Sequence, residues 1–182
     1  NWRVDAVQSG NSRAIADIGS HWCDTVQFVT GKRIVEVMAD LAIVWPVRKA
    51  SIASNATFGQ QMADVQFEDK AVTTEDRGSV LVRFDDGSKG CFSVSQVSAG
   101  RKNHLSFEIN GSQCSLHWDQ ETPQQLWVGH RQQANQILTD DPGLMNADVA
   151  ANAHFPGGHI EGWPDAFKNM MQQFYQAVSA GK

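Results

Sequence analysis

The sequence predicts an α+β fold: an open, mostly antiparallel mixed β-sheet with helices packed on one face. Three observations predict it. Strand-like alternation is gathered in the middle of the chain rather than interleaved with helices. Helical spacing of apolar residues falls at the two ends, over residues 12–30 and 164–180. Turn signals join the middle segments into hairpins, and clustered strands joined by tight turns build antiparallel sheets.

The elements follow in order. Ile15, Ile18, Trp22, Val26 and Val29 line one face of a helix over 12–30, with Asp17, His21 and Asp24 on the other. Ser12 or Asn11 suits its start and Gly31 its end. Val35, Val37, Ala39, Leu41 and Ile43 alternate along a strand over 33–45 that Pro46 ends. Residues 46–77 form a long connection, functional in itself or holding a short strand such as 63–67. Val80, Val82 and Phe84 run to Asp86-Gly87, a type I′ turn signal, and 90–97 return. Leu105, Phe107 and Ile109 run to Asn110-Gly111, a stronger signal of the same kind, and Cys114, Leu116 and Trp118 return. Residues 126–129 make one more short strand, and 131–162 read as mostly irregular. Phe167, Met170, Met171, Phe174 and Val178 mark the buried face of a last helix, with Pro164 in its first turn. The sheet face away from the helices is expected to be open and partly apolar, which favours association with a second copy.

Composition narrows the function classes. The chain has 182 residues, 41% apolar and 19% charged, with a net charge of −5. That is one globular domain's worth of chain. A mildly acidic chain without a basic run is a poor partner for nucleic acid or an anionic membrane. The longest apolar run, residues 41–45, is strand-sized, far short of the roughly 18 residues of a membrane span. Three cysteines without CxxC spacing suit neither a disulfide framework nor a zinc cluster; Cys23, Cys91 and Cys114 read as core residues, and free thiols make the cytoplasm the expected compartment. The chain starts on Asn-Trp-Arg-Val, which is no signal peptide and reads as a piece of a longer protein.

Two stretches could carry chemistry. In Asp17-Ile18-Gly19-Ser20-His21-Trp22-Cys23-Asp24, Asp17 and His21 stand four apart on one helix face, and a histidine beside a carboxylate is suited to moving a proton near neutral pH. Gly19 leaves room for a ligand or another backbone. The same spacing also fits an ordinary exposed helix face. In residues 154–163, two histidines, Glu161 and three glycines share an irregular stretch, which is either a binding loop or a turn into the last helix. No HExxH or CxxC spacing supports a metal site, and none is expected. No GxGxxG or GxxxxGK[ST] pattern is present, so this chain alone should not build a dinucleotide site.

With these residues in view, the sequence resembles the C-terminal domain of the Gfo/Idh/MocA oxidoreductases, relatives of glucose–fructose oxidoreductase and inositol dehydrogenase. The resemblance is carried by Trp2-Arg3-Val4-Asp5, Ser12-Arg13-Ala14, residues 17–24, Thr74-Glu75-Asp76-Arg77, residues 95–103 and His159-Ile160-Glu161-Gly162-Trp163, in that order along nearly the whole chain. It implies a fold like the C-terminal domains of glyceraldehyde-3-phosphate dehydrogenase and dihydrodipicolinate reductase. It implies that residues 1–182 are a single substrate-binding and oligomerisation domain whose N-terminal Rossmann partner, the holder of NAD or NADP, lies outside this chain. On the same basis His21 and Asp17 are the catalytic pair, His21 moving the proton of a sugar or polyol hydroxyl. Trp2, Arg3 and His159 are substrate-binding, and a homodimer or homotetramer forms through the exposed sheet face. The alternative is a non-catalytic carbohydrate-binding or assembly module of the same fold.

Overall fold

The alternation of residues 77–95 builds the centre of the first half of the molecule. In a computed structural model, which describes residues 4–51 and 67–181, the chain divides into two compact units, Asn1–Arg101 and Lys102–Lys182. The fold is α+β, and among the described residues every strand pairing is antiparallel.

In the first unit, β1 (Ile34–Ala42), β4 (Arg77–Phe84) and β5 (Lys89–Ser95) form a sheet in the order β1-β4-β5, and β2 (Val47–Ser51) pairs with β3 (Phe67–Ala71). The long connection thus holds a two-stranded ladder; the strand expected at 63–67 falls mostly outside the described residues. Val80, Val82, Phe84, Phe92 and Val94 are buried on one face, each worth roughly 1.5–3 kcal/mol if fully buried. A short helix α1 (Ala6–Ser9) precedes a π-helical turn, Ile15–Gly19, that runs straight into α2 (Ser20–Thr30). This helix covers the apolar face. Trp22 stacks on Phe92 with ring centroids 4.5 Å apart, and Ile15 fits over Gly78, where a Cβ would stand 2.7 Å from its Cδ1. Gly31 ends α2 in the left-handed region, as the sequence predicts. A bulge near Val35 resets the register so that Val37 faces Val82.

The register also defines the opposite face. Met38, Leu81 and Cys91 are cross-strand neighbours there, and Leu81 and Met38 are 52% and 67% exposed. Cys91 is therefore exposed, and Cys23 and Cys114 are only half-buried, which corrects the reading of the three as core residues. Cys91 alternates out of phase with Phe92 and Val94, so strand membership alone does not put it inside.

In the second unit, β6 (Ser106–Asn110), β7 (Cys114–Asp119), β8 (Gln125–His130) and β9 (Gln136–Thr139) form a meander in sequence order. Strand β9 falls in the stretch read as irregular. Its four residues are too few to show alternation, and it forms because the β8 edge offers it unpaired backbone groups. A 3₁₀ turn (Pro142–Leu144), α3 (Ala147–Ala150) and α4 (Trp163–Ser179) follow. Pro164 sits in the first turn of α4, and Asp165 accepts the Gly162 N–H at 2.9 Å.

Three expectations are corrected. No residue of α4 is buried, and the stripe expected to face a core is exposed, with Phe167 at 43% and Phe174 at 58%. Periodicity shows that a helix has an apolar face, not what covers it. The Asp86-Gly87 turn is not type I′, which needs positive φ at both central residues. Only Gly87 has it (φ 84°); its N–H donates to the Phe84 carbonyl, and the Asp86 carboxylate takes the Ser88 N–H at 2.9 Å. Asn110-Gly111 is not the turn at all. Asn110 stays in the ladder opposite Ser115, whose hydroxyl donates to its Oδ1 at 2.6 Å, and the loop is Ser112-Gln113.

Candidate functional site

The N-terminus of the site helix is held by an acidic pair from the segment before β4. Glu75 Oε1 accepts the Ser12 hydroxyl at 2.8 Å and the backbone N–H groups of Arg13 at 2.9 Å and Ile15 at 3.0 Å. The Glu75 carbonyl accepts the Ala14 N–H at 3.2 Å. Free donors at a helix start are ordinarily met by a local Ser, Thr, Asp or Asn. Here Ser12 is itself a donor to Glu75, so a residue more than sixty positions away does the capping.

Asp76 is fully buried and closes the corner between β1 and β2. It accepts the N–H groups of Val44 at 2.7 Å and Trp45 at 3.0 Å, and its Oδ2 lies 3.6 Å from Arg13 Nη2 and 3.7 Å from Arg48 Nη2. Burial pushes both carboxyls up, but their partners outweigh it. Ile15, Ser12 and Arg13 hold Glu75 below the ordinary range; the Val44 and Trp45 N–H groups and the two arginines hold Asp76 below it. Burial and the charge of Arg48 lower Arg13 against the pull of Asp76 and Glu75. Arg13 Nε, Arg48 Nε and Nη2, and Thr74 Oγ1 are buried without a hydrogen-bond partner.

From this anchor the helix makes its π turn. The Ser20 N–H reaches back five residues to the Ile15 carbonyl, and the Ser20 hydroxyl donates to the Ala16 carbonyl at 2.8 Å. Such turns inside α-helices are frequent at functional sites. Asp17 lies in the π turn and His21 in the first turn of α2; both are exposed, as is Asp24. Gly19 is buried, with the Phe92 ring 3.4 Å from the position of a Cβ. Its missing side chain serves the packing of helix on sheet rather than the approach of a ligand.

The other sequence-derived residues are placed differently. Trp2 and Arg3 lie outside the described residues. His159 belongs to the second unit and is exposed, its Nδ1 3.2 Å from the Pro156 carbonyl oxygen. In the same stretch Glu161 accepts the His154 and Phe155 N–H groups, and His154 Nε2 lies 2.9 Å from Asn169 Oδ1. His154 and Glu161 thus organise the approach to α4. His104, Asp119 and Glu121 bring metal-type donor atoms within 4.8 Å of one another. Asp119 is already committed: its Oδ2 pairs with His104 Nε2 at 3.2 Å and its Oδ1 takes the Glu121 N–H. Sequence reasoning missed Glu75 and Asp76 as parts of the site. Thr74-Glu75-Asp76-Arg77 stood out only as a matching motif; two acidic residues in a row before a strand look like solvated surface.

The family model for the GFO/IDH/MocA C-terminal domain matches residues 1–117. This chain belongs to that family. An oxidoreductase domain protein from Kribbella flavida is 29% identical, covers 100% of this chain with 46% of its own, and superposes with a TM-score of 0.80. An inositol dehydrogenase homologue from Azotobacter vinelandii, solved with NADH and myo-inositol, is 24% identical over 98% of this chain and 41% of its own, with a TM-score of 0.75. The levoglucosan dehydrogenase of Pseudarthrobacter phenanthrenivorans is 26% identical over 128 residues, 70% of this chain and 32% of that protein. The chain spans about 40% of the length of the curated oxidoreductase it matches over almost its whole extent. Its relatives are oxidoreductases, sugar and polyol dehydrogenases among them.

Proposed function

We propose that this chain, residues 1–182, is the substrate-binding and oligomerisation half of an NAD(P)-dependent oxidoreductase that acts on a sugar, a polyol or a related hydroxyl compound. The observation that carries the reading is the Asp17/His21 pair: both side chains are exposed on one helix that Glu75 and the Trp22–Phe92 stack hold in place. Oxidising a secondary alcohol removes a hydride from carbon and a proton from oxygen. His21 takes the proton, and Asp17 hydrogen-bonds substrate and orients the imidazole. Trp2 and Arg3 add substrate contacts in this reading, since a tryptophan stacks on the apolar face of a sugar and an arginine offers fixed donors to hydroxyls, and His159 is assigned a substrate-binding role within the second unit.

The described residues do not fit a dinucleotide. They contain antiparallel ladders and no βαβ unit, whose helix N-terminus would receive a pyrophosphate. The nicotinamide, which accepts the hydride, belongs in this reading to a part of the parent protein outside this chain. The parent assembles as a homodimer or homotetramer through the face that carries Met38, Leu81 and Cys91, and works in the cytoplasm.

The test is steady-state turnover of the parent enzyme with NAD⁺ and NADP⁺ across sugars and polyols, myo-inositol and levoglucosan included. His21→Ala should lower kcat about 100-fold or more. Full activity in that variant removes the role assigned to His21. Sugar binding by the parent with neither turnover nor NADH binding supports instead a non-catalytic carbohydrate-binding or assembly module. In the second unit the Trp127 ring lies over Gly129 beside Asn110 and Ser115, in a shallow depression that such a module could use.

A further inference from the structure

We infer that Glu75 is a positioning residue for the reaction: its carboxylate fixes the start of the site helix and thereby sets the direction in which Asp17 and His21 are presented. The inference rests on the role proposed for that pair.

Three donors from three residues converge on one oxygen, Glu75 Oε1: the Ser12 hydroxyl and the Arg13 and Ile15 N–H groups, at 2.8, 2.9 and 3.0 Å. The carbonyl of the same residue takes the Ala14 N–H. Every backbone donor from Arg13 to Ile15 thus ends on Glu75. Two positions after Ile15, the Asp17 N–H donates to the Arg13 carbonyl at 2.9 Å. The chain from Glu75 to Asp17 therefore runs through two hydrogen bonds and no flexible side chain other than the glutamate itself.

Glu75 is 5% exposed and its neighbour Asp76 is fully buried, so the clamp is tied to the corner of the sheet and not to a mobile surface. Beyond the π turn, in the first turn of α2, the helix is tied by Trp22 to Phe92. Between the two ties lies the π turn, whose wider backbone turn can take up a rotation of the helix start. Release of the first tie lets Asp17 swing relative to His21 while the packing of α2 on β5 survives. A displacement of about 1 Å in a positioned group costs on the order of 100-fold in rate.

The experiment compares Glu75→Ala, which removes the acceptor, with Glu75→Gln, which keeps an oxygen in its place. In this chain, isotope-edited spectra follow amide exchange at Arg13 and Ile15 and the imidazole resonances of His21; in the parent, kcat and KM are measured. Glu75→Ala should lose amide protection, move the His21 resonances and lower kcat about 10–100-fold, with a smaller rise in KM because Asp17 also contacts substrate. Glu75→Gln should restore kcat to within about threefold of the wild type, since a neutral acceptor weakens the hydrogen bonds without deleting them. Unchanged His21 resonances and kcat in Glu75→Ala overturn the inference, as does an equal loss in the two variants. Should Glu75→Ala not fold, Ser12→Ala decides: a smaller shift of the same His21 resonances supports the clamp and no shift overturns it. A parent that turns over no substrate while Glu75→Ala still moves His21 overturns the oxidoreductase reading and leaves the clamp standing.

Discussion

The indole of Trp22 stacks on the ring of Phe92 with 4.5 Å between centroids and 25° between planes. Trp22 follows His21 directly in the chain. On a helix, consecutive residues point about 100° apart. Docking Trp22 onto β5 therefore turns its neighbour away from the sheet, and the exposure of His21 is a consequence of where Trp22 is buried.

Trp22→Ala should accordingly be among the costlier single changes in the first unit. The ring is half-buried, so the loss should be about 2–3 kcal/mol, below the full range for a buried aromatic. Denaturant unfolding of the two proteins side by side measures it. A loss below about 0.5 kcal/mol, the size of an ordinary surface change, would mean that the stack does not hold the helix.

Gly78 and Gly19 make opposite predictions. A Cβ on Gly78 would stand 2.7 Å from Ile15 Cδ1 and 2.9 Å from Leu41 Cδ2, whereas one on Gly19 meets nothing closer than 3.4 Å. Gly78→Val gains at most about 1 kcal/mol in strand propensity, and overpacking costs about 1–3 kcal/mol. The clash wins, and the variant should melt lower. Gly19→Ala should be neutral or stabilising, because alanine is the better helix former by about 1 kcal/mol.

Acid should loosen the helix anchor first. Glu75 and Asp76 have native pKa values below their ordinary values of 4.5 and 3.8. A depressed carboxyl stabilises the fold fully above its unfolded pKa, and that stability is lost as pH falls through the native value. Unfolding free energy measured from pH 7 down to pH 2 should drop below about pH 4. The double variant Glu75→Gln, Asp76→Asn should start lower at pH 7 and show a flatter acid limb. Parallel acid limbs would mean that other carboxyls carry the effect.

Strands β4 and β5 are legible in the sequence because one face of their sheet is buried and the alternation of Val80, Val82 and Phe84 records it, whereas β2 inside the long connection is not. The π/α helix is legible for the same reason, and its polar face with Asp17, His21 and Asp24 is exposed as its spacing implies. Features fixed by long-range polar contacts leave no such trace. Ser12 looks like a cap, yet it donates to Glu75. Asn110-Gly111 has the composition of a tight turn, yet the Ser115 hydroxyl keeps Asn110 in the ladder. The face of α4 is visible as a pattern, but its cover is not.

That uncovered face gives a further prediction. Trp163, Phe167, Phe174 and Val178 are 74%, 43%, 58% and 55% exposed, and contiguous apolar patches of this kind promote association. The chain on its own should self-associate with rising concentration in sedimentation experiments. Phe167→Glu with Phe174→Glu should reduce that association without lowering the melting temperature, since neither ring is buried.

The open face of the first unit can be read through its thiol. Cys91 is exposed, and burial raises the pKa of the Cys23 thiol, so a maleimide should label Cys91 well before Cys23 in this chain. In the assembled parent the same reagent tests the proposed interface. Protection of Cys91 there is expected, and labelling at the rate of the isolated chain would place the interface elsewhere.

The π turn at Ile15–Gly19 has a consequence for how this segment tolerates change. A turn that closes on the fifth residue holds one residue more than an α turn needs. Deleting that surplus would let the helix close regularly from end to end, a local gain in backbone geometry. It would also rotate everything before it by about 100° against everything after it, while Glu75 pins one side and Phe92 the other. The segment can thus accept exchanges of one side chain for another far more readily than the loss of a single position. Here the count of residues, more than their identity, is what the fold guards.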